Sequence, residues 1–275
     1  MNPVVIRKLV VFLWVAIALP STVFARPQFH FTNDVFINGG ADRYLSNDFG
    51  YSYKLSDDKS VSIRSLMFTP DDLRTPTPPE GDHPYAGYTY IGYSNKNGNR
   101  TYEYRIGAVG NASGADELQT FVHRDLGLGT TPQGWDTQEK SAEAFDFIYS
   151  HKNTLAIDSP FGVTEGEFVY GARLGNIMLS AFLEQTLSKR FGRCRFLTTM
   201  RGDMIGFNRH LEGSLFTSGW EFAVEREPLV ATASLGFEFD VSDYVVGFIY
   251  SLQTPTFQGQ DDNHAFGSLI FRGKL

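Results

Sequence analysis

From residue 101 to 109 the chain alternates with a period of two. Thr101, Glu103, Arg105, Gly107 and Val109 share one face, and Tyr102, Tyr104, Ile106 and Ala108 share the other. The split recurs over 177–189, where Ile177, Leu179, Ala181, Leu183 and Leu187 oppose Ser180, Glu184, Thr186 and Ser188. It recurs again over 229–240, where Leu229, Ala231, Ala233, Leu235, Phe237 and Phe239 oppose Thr232, Ser234, Glu238 and Asp240. An extended backbone points successive side chains to opposite sides, so each stretch predicts a β-strand with one polar and one apolar face. Asp57-Asp58, Asn97-Gly98, Gly175-Asn176, Gly192, Glu227-Pro228 and Ser242-Asp243 read as the turns between strands. About a dozen strands follow, near or above the roughly 9–11 residues that a tilted strand needs to cross a bilayer.

The pattern predicts an all-β fold: a closed antiparallel transmembrane β-barrel of about 12 strands, apolar faces to lipid and polar faces to the lumen. Tyr85, Tyr88, Tyr90, Tyr93, Tyr244 and Tyr250 are expected to form its interfacial girdles. The competing architecture is a soluble β-sandwich or jelly roll, which alternates in the same way but buries its apolar face against a second sheet. Strand length and the closing run Leu269, Phe271, Gly273, Leu275 on one face favour the barrel.

The first 25 residues change the charge balance. Arg7 and Lys8 precede an apolar run from Leu9 to Leu19, then Pro20, Ser21 and Val23-Phe24-Ala25. These are the basic, hydrophobic and small-residue parts of a secretory signal peptide, and the run is shorter than the roughly 20 residues of a spanning helix. Removing residues 1–25 takes two of the 24 basic residues and none of the 31 acidic ones, so 22 against 31 leaves the mature domain, 26–275, at −9. That acidity argues against nucleic acid as a partner. Hydrophobic residues at 42% and aromatics at 15% exclude a disordered chain. The single cysteine, Cys194, excludes an internal disulfide and reads as a small apolar residue.

One segment departs from the period of two. Ser113-Gly114-Ala115-Asp116 reads as a helix start, and Leu118, Phe121, Val122 and Leu126 follow at helical spacing, predicting a short helix in one excursion. Gln119 and His123 lie four apart and Asp116 seven from the histidine, so all three share a face. A histidine among polar neighbours is a candidate general base, and a solvated helix face is the plainer alternative. Residues 127–140, with Gly127, Gly129, Pro132, Gln133, Gly134 and Trp135, read as loop.

Oxygen-bearing side chains gather near the start of the mature chain. Asn33, Asp34 and Ser46 could supply the hard donors that calcium takes, provided a strand end or a bulge brings Asn33 and Asp34 to one side. Asn and Asp marking a turn is the alternative. Alternation places Ser46, Asp48 and Gly50 together on a polar face. In the loop Met67–Gly87, stiffened by Pro76, Pro78 and Pro79, Arg74 could meet an anionic head group or remain solvated. No Gly-x-Ser-x-Gly elbow, His-Glu-x-x-His helix, phosphate-binding loop or cysteine-rich metal cage occurs.

Six fragments occur in one order along nearly the whole mature chain. They are Asn33-Asp34; Asp42-Arg43-Tyr44 with Ser46; Thr69-Pro70 through Asp82-x-Pro84-Tyr85-Ala86-Gly87; Gln119-x-x-x-His123-Arg124; Pro132-Gln133-Gly134-Trp135; and Asn208-x-x-Leu211-x-Gly213. Together they resemble the lipid A deacylase family. The resemblance implies a monomeric barrel in the cell outer membrane that removes the 3'-linked acyloxyacyl chain from lipid A of lipopolysaccharide in a calcium-dependent ester hydrolysis. It implies His123 as general base, Gln119 as a helper on the same helix face, and Asn33, Asp34 and Ser46 around Ca2+ and the reacting carbonyl. Ser46 is read as metal ligand or oxyanion donor ahead of nucleophile. Arg74 falls near a basic pair that touches substrate phosphate, in a loop that is shorter here. Leu45 and Asp48 stand where the family carries an aromatic and a glycine, and Gly129 where one member carries a carboxylate.

On this reading His123 activates water while calcium stabilises the oxyanion, a role worth several kcal/mol. The other readings are a non-catalytic outer-membrane barrel, either a small plugged pore or a structural protein, and a soluble periplasmic calcium lectin. A lumen filled by Glu103, Arg105, Arg201 and Asp203 favours a plugged barrel over an open porin.

Overall fold

The structure, a computed structural model, describes residues 27–38, 43–125, 130–157, 164–217 and 219–274. Residues 1–25, expected to be a signal peptide, and Asp42, Leu126, Gly129 and Leu275 lie outside the described residues.

Twelve strands run β1 (Pro27–Asn33), β2 (Tyr44–Lys54), β3 (Lys59–Thr69), β4 (Ala86–Asn97), β5 (Arg100–Val109), β6 (Ala142–Ile157), β7 (Thr164–Gly175), β8 (Met178–Phe191), β9 (Cys194–Asn208), β10 (Leu229–Val241), β11 (Tyr244–Gln253) and β12 (His264–Gly273). Each pairs antiparallel with its neighbours in sequence, and β1 pairs with β12, so the sheet closes. Closure gives every strand two partners, the condition for a sheet to sit in hydrocarbon without unpaired backbone groups. Among the described residues no helix is long and apolar enough to cross a membrane; strands make the crossing.

The alternation becomes the two faces of the wall. Ile63, Ile91 and Ile106 are register partners across β3, β4 and β5, and all three point outward, Ile106 with 67% of its surface exposed. The intervening positions turn inward and pair. Arg105 donates to Glu103 at 2.7 Å and lies 4.6 Å over the Tyr90 ring; Arg201 donates to Asp203 at 2.7 Å; Arg173 donates to Asp146 at 2.5 Å. Arg64 is paired with Asp48. The lumen is therefore lined by ion pairs within and between neighbouring strands, as the wet face of 101–109 requires.

The tyrosine girdle is revised. Tyr85, Tyr88 and Tyr90 are buried, because Tyr85 packs under a loop and the other two face inward, where Tyr88 Oη donates to Asp146 Oδ2 at 3.2 Å. Tyr250 is half-buried. Tyr93 and Tyr244 are exposed as expected, and Tyr104, Tyr170, Phe168, Phe191 and Phe196 join them outside.

The two ends of the barrel differ. Tight turns at 55–58, 98–99, 192–193 and 242–243 join strands at one end, where Pro27 and Lys274 also lie. The longer connections 34–43, 70–85, 110–141, 209–228 and 254–263 stand at the other, the side that faces out of the cell in barrels of this type. They hold α1 (Val35–Asn38), α2 (Ala115–Thr120), a π-helical turn Phe121–Asp125 that continues α2, and α3 (Arg209–Glu212). An aromatic layer caps the lumen here: Phe68 stacks on His210 at 4.6 Å and on His83 at 5.5 Å, and Tyr44 meets Phe257 edge-on at 5.4 Å.

The α2 excursion packs against the outside of the wall. Met67 shares the outward face of β3 with Ile63, and Gly87 that of β4 with Ile91, yet Met67 is buried with Ala115, Trp135, Tyr85 and Leu73. A Cβ at Gly87 would come within 2.5 Å of Ser113 Oγ and 2.6 Å of Ala115 Cβ. The absent side chain is what lets α2 lie on the sheet.

Candidate active site

The helix carries its polarity in reverse. Leu118 and Phe121 are exposed, whereas Gln119 is fully buried and His123 is 3% exposed. On a surface that meets lipid, the apolar side of a helix turns out and its polar side turns toward the barrel, so the shared face of Gln119 and His123 is an interior one. Asp116, from the same predicted face, is half-buried. The helix starts at Ala115 after Gly114 in a left-handed conformation, and Ser113 Oγ accepts from Ala115 N at 3.3 Å.

The return loop fixes both polar side chains. His123 Nδ1 lies 2.6 Å from the Thr130 carbonyl. A carbonyl only accepts, so the proton sits on Nδ1 and the basic lone pair of the neutral ring on Nε2. Trp135 Nε1 donates to Gln119 Oε1 at 3.0 Å, which makes Nε2 the donating edge of that amide. Gly134 lets Trp135 approach, since a Cβ there would lie 2.4 Å from the Tyr85 ring.

A strand end and a bulge both occur among the oxygen donors, and they bring Asn33 to Ser46. β1 ends at Asn33, so Asp34 leaves the strand, and a β-bulge between Leu45 and Asn47 sets Ser46 out of register with β3. Asn33 Nδ2 donates to the Ser46 carbonyl at 2.6 Å and to Asn47 Oδ1 at 2.7 Å. Asp34 Oδ2 accepts from Arg43 N at 2.7 Å. Ser46 Oγ lies 2.5 Å from Thr69 Oγ1. Ser46 thus leaves the lumen face expected for it alongside Asp48 and Gly50: the bulge turns its hydroxyl to Thr69, on the outward face of β3. Asn33, Asp34, Ser46 and Thr69 are all buried.

Strand β3 touches both groups. Thr69 at its end holds Ser46, and Met67, two residues earlier on the same face, packs under Ala115 and Trp135, the residues that carry and fix Gln119. Gln119 and His123 therefore lie at the long-loop end on the helix that packs against the outside of the wall, and Ser46 reaches the same outward face of β3 through Thr69.

Arg74 is not brought in. Its side chain is 78% exposed and pairs with Asp72 at 2.9 Å within the loop. Arg43 pairs with Asp71 at 3.1 Å, and Arg124, beside His123, with Asp125 at 3.1 Å.

The oxygen set is of the kind calcium takes: a buried carboxylate, an amide, a hydroxyl and nearby backbone carbonyls. Among the described residues no three His, Cys, Asp or Glu side chains gather into a metal-binding group. A fully buried carboxylate is stable only when compensated, and a divalent cation would contribute to that compensation at Asp34.

Residues 9–194 and 181–275 match the family model described as outer membrane protein LpxR. The chain belongs to the LpxR family. As an LpxR-family member it is a protein of the outer membrane. LpxR from Salmonella typhimurium has the same fold at 16% identity, with a TM-score of 0.75 over 91% of this chain and all of that one. Two porins match more loosely: KdgM at 5% identity and TM-score 0.42 over 91% of this chain and 99% of that one, and NanC at 6% and 0.42 over 92% and 100%. No curated protein matches.

Sequence reasoning gives Thr69 and Trp135 only as parts of motifs, without a role, and it misses Asn47 and Thr130, which act through contacts that spacing does not encode.

Proposed function

We propose that this protein is a lipid A deacylase: a carboxylic ester hydrolase that removes the 3'-linked acyloxyacyl chain from lipopolysaccharide. Membership of the LpxR family and the likeness to LpxR of Salmonella typhimurium support the reading. The observation that carries it is the position of Gln119 and His123, buried on the face of the helical segment that turns toward the outside of the wall at β3 and β4, at the long-loop end. A group there meets a substrate moving laterally in the outer leaflet, where a lumen-facing site would not.

His123 Nε2 takes a proton from water as that water adds to the ester carbonyl, and later returns it to the departing alkoxide. The Thr130 carbonyl holds the Nδ1 proton and so keeps the imidazole in the tautomer this needs. Gln119 donates from Nε2 and orients water or carbonyl. Asn33, Asp34 and Ser46 are the residues that would hold calcium, which would supply polarisation of the ester carbonyl. Ser46 Oγ is engaged with Thr69 and serves as ligand or oxyanion donor. Arg74, exposed in its loop, is the group that would reach a lipid A phosphate.

Mass spectrometry of lipid A from cells expressing the protein tests this. The expected result is loss of the 3' acyloxyacyl mass with calcium present, absent in His123→Ala. Unchanged lipid A in a well-inserted, calcium-supplied barrel would overturn it.

A further inference from the structure

At the short-turn end, opposite the proposed active site, the lumen opens into a half-enclosed vestibule of about 580 Å³. Its size lies within the roughly 300–1,000 Å³ of small-ligand sites. Five cations line it, Lys54, Arg190, Arg195, Arg272 and Lys274, against one lining carboxylate, Asp240. The chain as a whole is acidic, at −7, so this concentration runs against the overall charge.

The cations come from opposite sides of the barrel. Lys54 and Arg272 sit on β2 and β12, which flank β1, while Arg190 and Arg195 face them from β8 and β9. Arg190 and Arg195 are direct register partners, a placement of like charges that is unfavourable in a sheet unless compensated. The compensation present is thin. Asp240 serves both Arg190 at 2.6 Å and Lys274 at 3.8 Å, and Glu238 serves both Arg272 at 2.7 Å and Arg195 at 3.8 Å. Glu165, largely exposed, reaches Arg195 at 3.2 Å. Lys54 has no ion pair among the described residues. Three carboxylates thus face five cations, and Ser52, Ser60 and Gln28 add neutral donors to the same wall.

We propose that this vestibule binds a small multivalent anion carrying phosphate or carboxylate groups. A ligand with two or more negative charges bridges cations across the lumen that the protein's own acids leave under-compensated. The site is separate from the proposed active site and does not depend on it.

The test is calorimetric titration of the refolded full chain in zwitterionic detergent at low ionic strength, without calcium. Inorganic pyrophosphate and citrate serve as probes and acetate as the monovalent control. Saturable binding of pyrophosphate or citrate is expected, weakened by added salt and at least tenfold weaker in Lys54→Gln/Lys274→Gln, with lipid A hydrolysis unchanged. The tighter probe assigns phosphate or carboxylate as the recognised group. Lys54→Gln alone, at an exposed position without an ion pair, gives a several-fold loss and guards against misfolding of the double variant. No saturable binding of either probe at millimolar concentration, or equal binding by wild type and variants, overturns the proposal.

Discussion

Trp135 donates its indole N–H to Gln119 Oε1 across 3.0 Å, tying the loop that follows α2 back onto the helix it came from. The same loop holds His123 through the Thr130 carbonyl, so one return of the chain orients both polar side chains of the proposed site.

Trp135→Phe keeps most of the ring and removes the donor. Losing a buried hydrogen-bond partner costs about 1–3 kcal/mol. The barrel is expected to remain folded by heat-modifiable gel mobility, while amide exchange over 115–125 quickens and lipid A hydrolysis drops. Unchanged exchange and unchanged hydrolysis would show that the bond does not position Gln119.

Gly87→Val separates the barrel from the site. The added side chain meets Ser113 and Ala115 closer than van der Waals contact allows, and relief comes most easily by lifting α2. Overpacking of this kind costs about 1–3 kcal/mol. Normal insertion with at least tenfold lower hydrolysis is the expected pair of readings; full activity would mean that α2 need not lie on β4.

Asp34→Asn keeps the shape and the acceptor for Arg43 N while removing the charge. If calcium sits at this cluster, the calcium concentration giving half-maximal hydrolysis should rise at least tenfold, and chelation should abolish activity in the wild type. An unaltered calcium requirement in the variant would place the metal elsewhere.

Burial makes the extracellular cap acid-sensitive. His83 is pushed from the ordinary 6.5 down to about 4 by burial, opposed by its bond to the Pro84 carbonyl. His210 is lowered as well, by burial first and then by Arg173, His83 and Arg209. Both imidazoles are neutral when folded, so between pH 6.5 and 4 the unfolded chain binds more protons. Stability is therefore fully present above pH 6.5 and falls as pH drops toward 4, by roughly 3 kcal/mol for His83. Urea midpoints measured across that window should decline with acidity and flatten in His83→Phe; a flat wild-type profile would contradict the buried neutral state.

The barrel was legible because two-solvent strands leave a local record. Glu103 and Arg105 against Tyr104 and Ile106 already separate lumen from lipid, and no distant contact is needed to read them. The girdle was less legible, since Tyr88 and Tyr93 have the same composition signal and differ only in which side of β4 they occupy.

For the site, the residue types and their spacing were readable, and the requirement for a strand end or bulge at Asn33-Asp34 follows from alternation alone. The sequence by itself thus determined the closed sheet, its faces and the candidate groups, because periodicity and hydrogen-bonding chemistry are properties of neighbours in the chain. Only the tertiary structure decided that α2 lies outside the wall with its polar face inward, that Ser46 turns to Thr69, and that Arg74 stays in solvent. Those outcomes depend on packing between segments far apart in sequence, such as Gly87 beneath Ala115, and on which surface meets lipid.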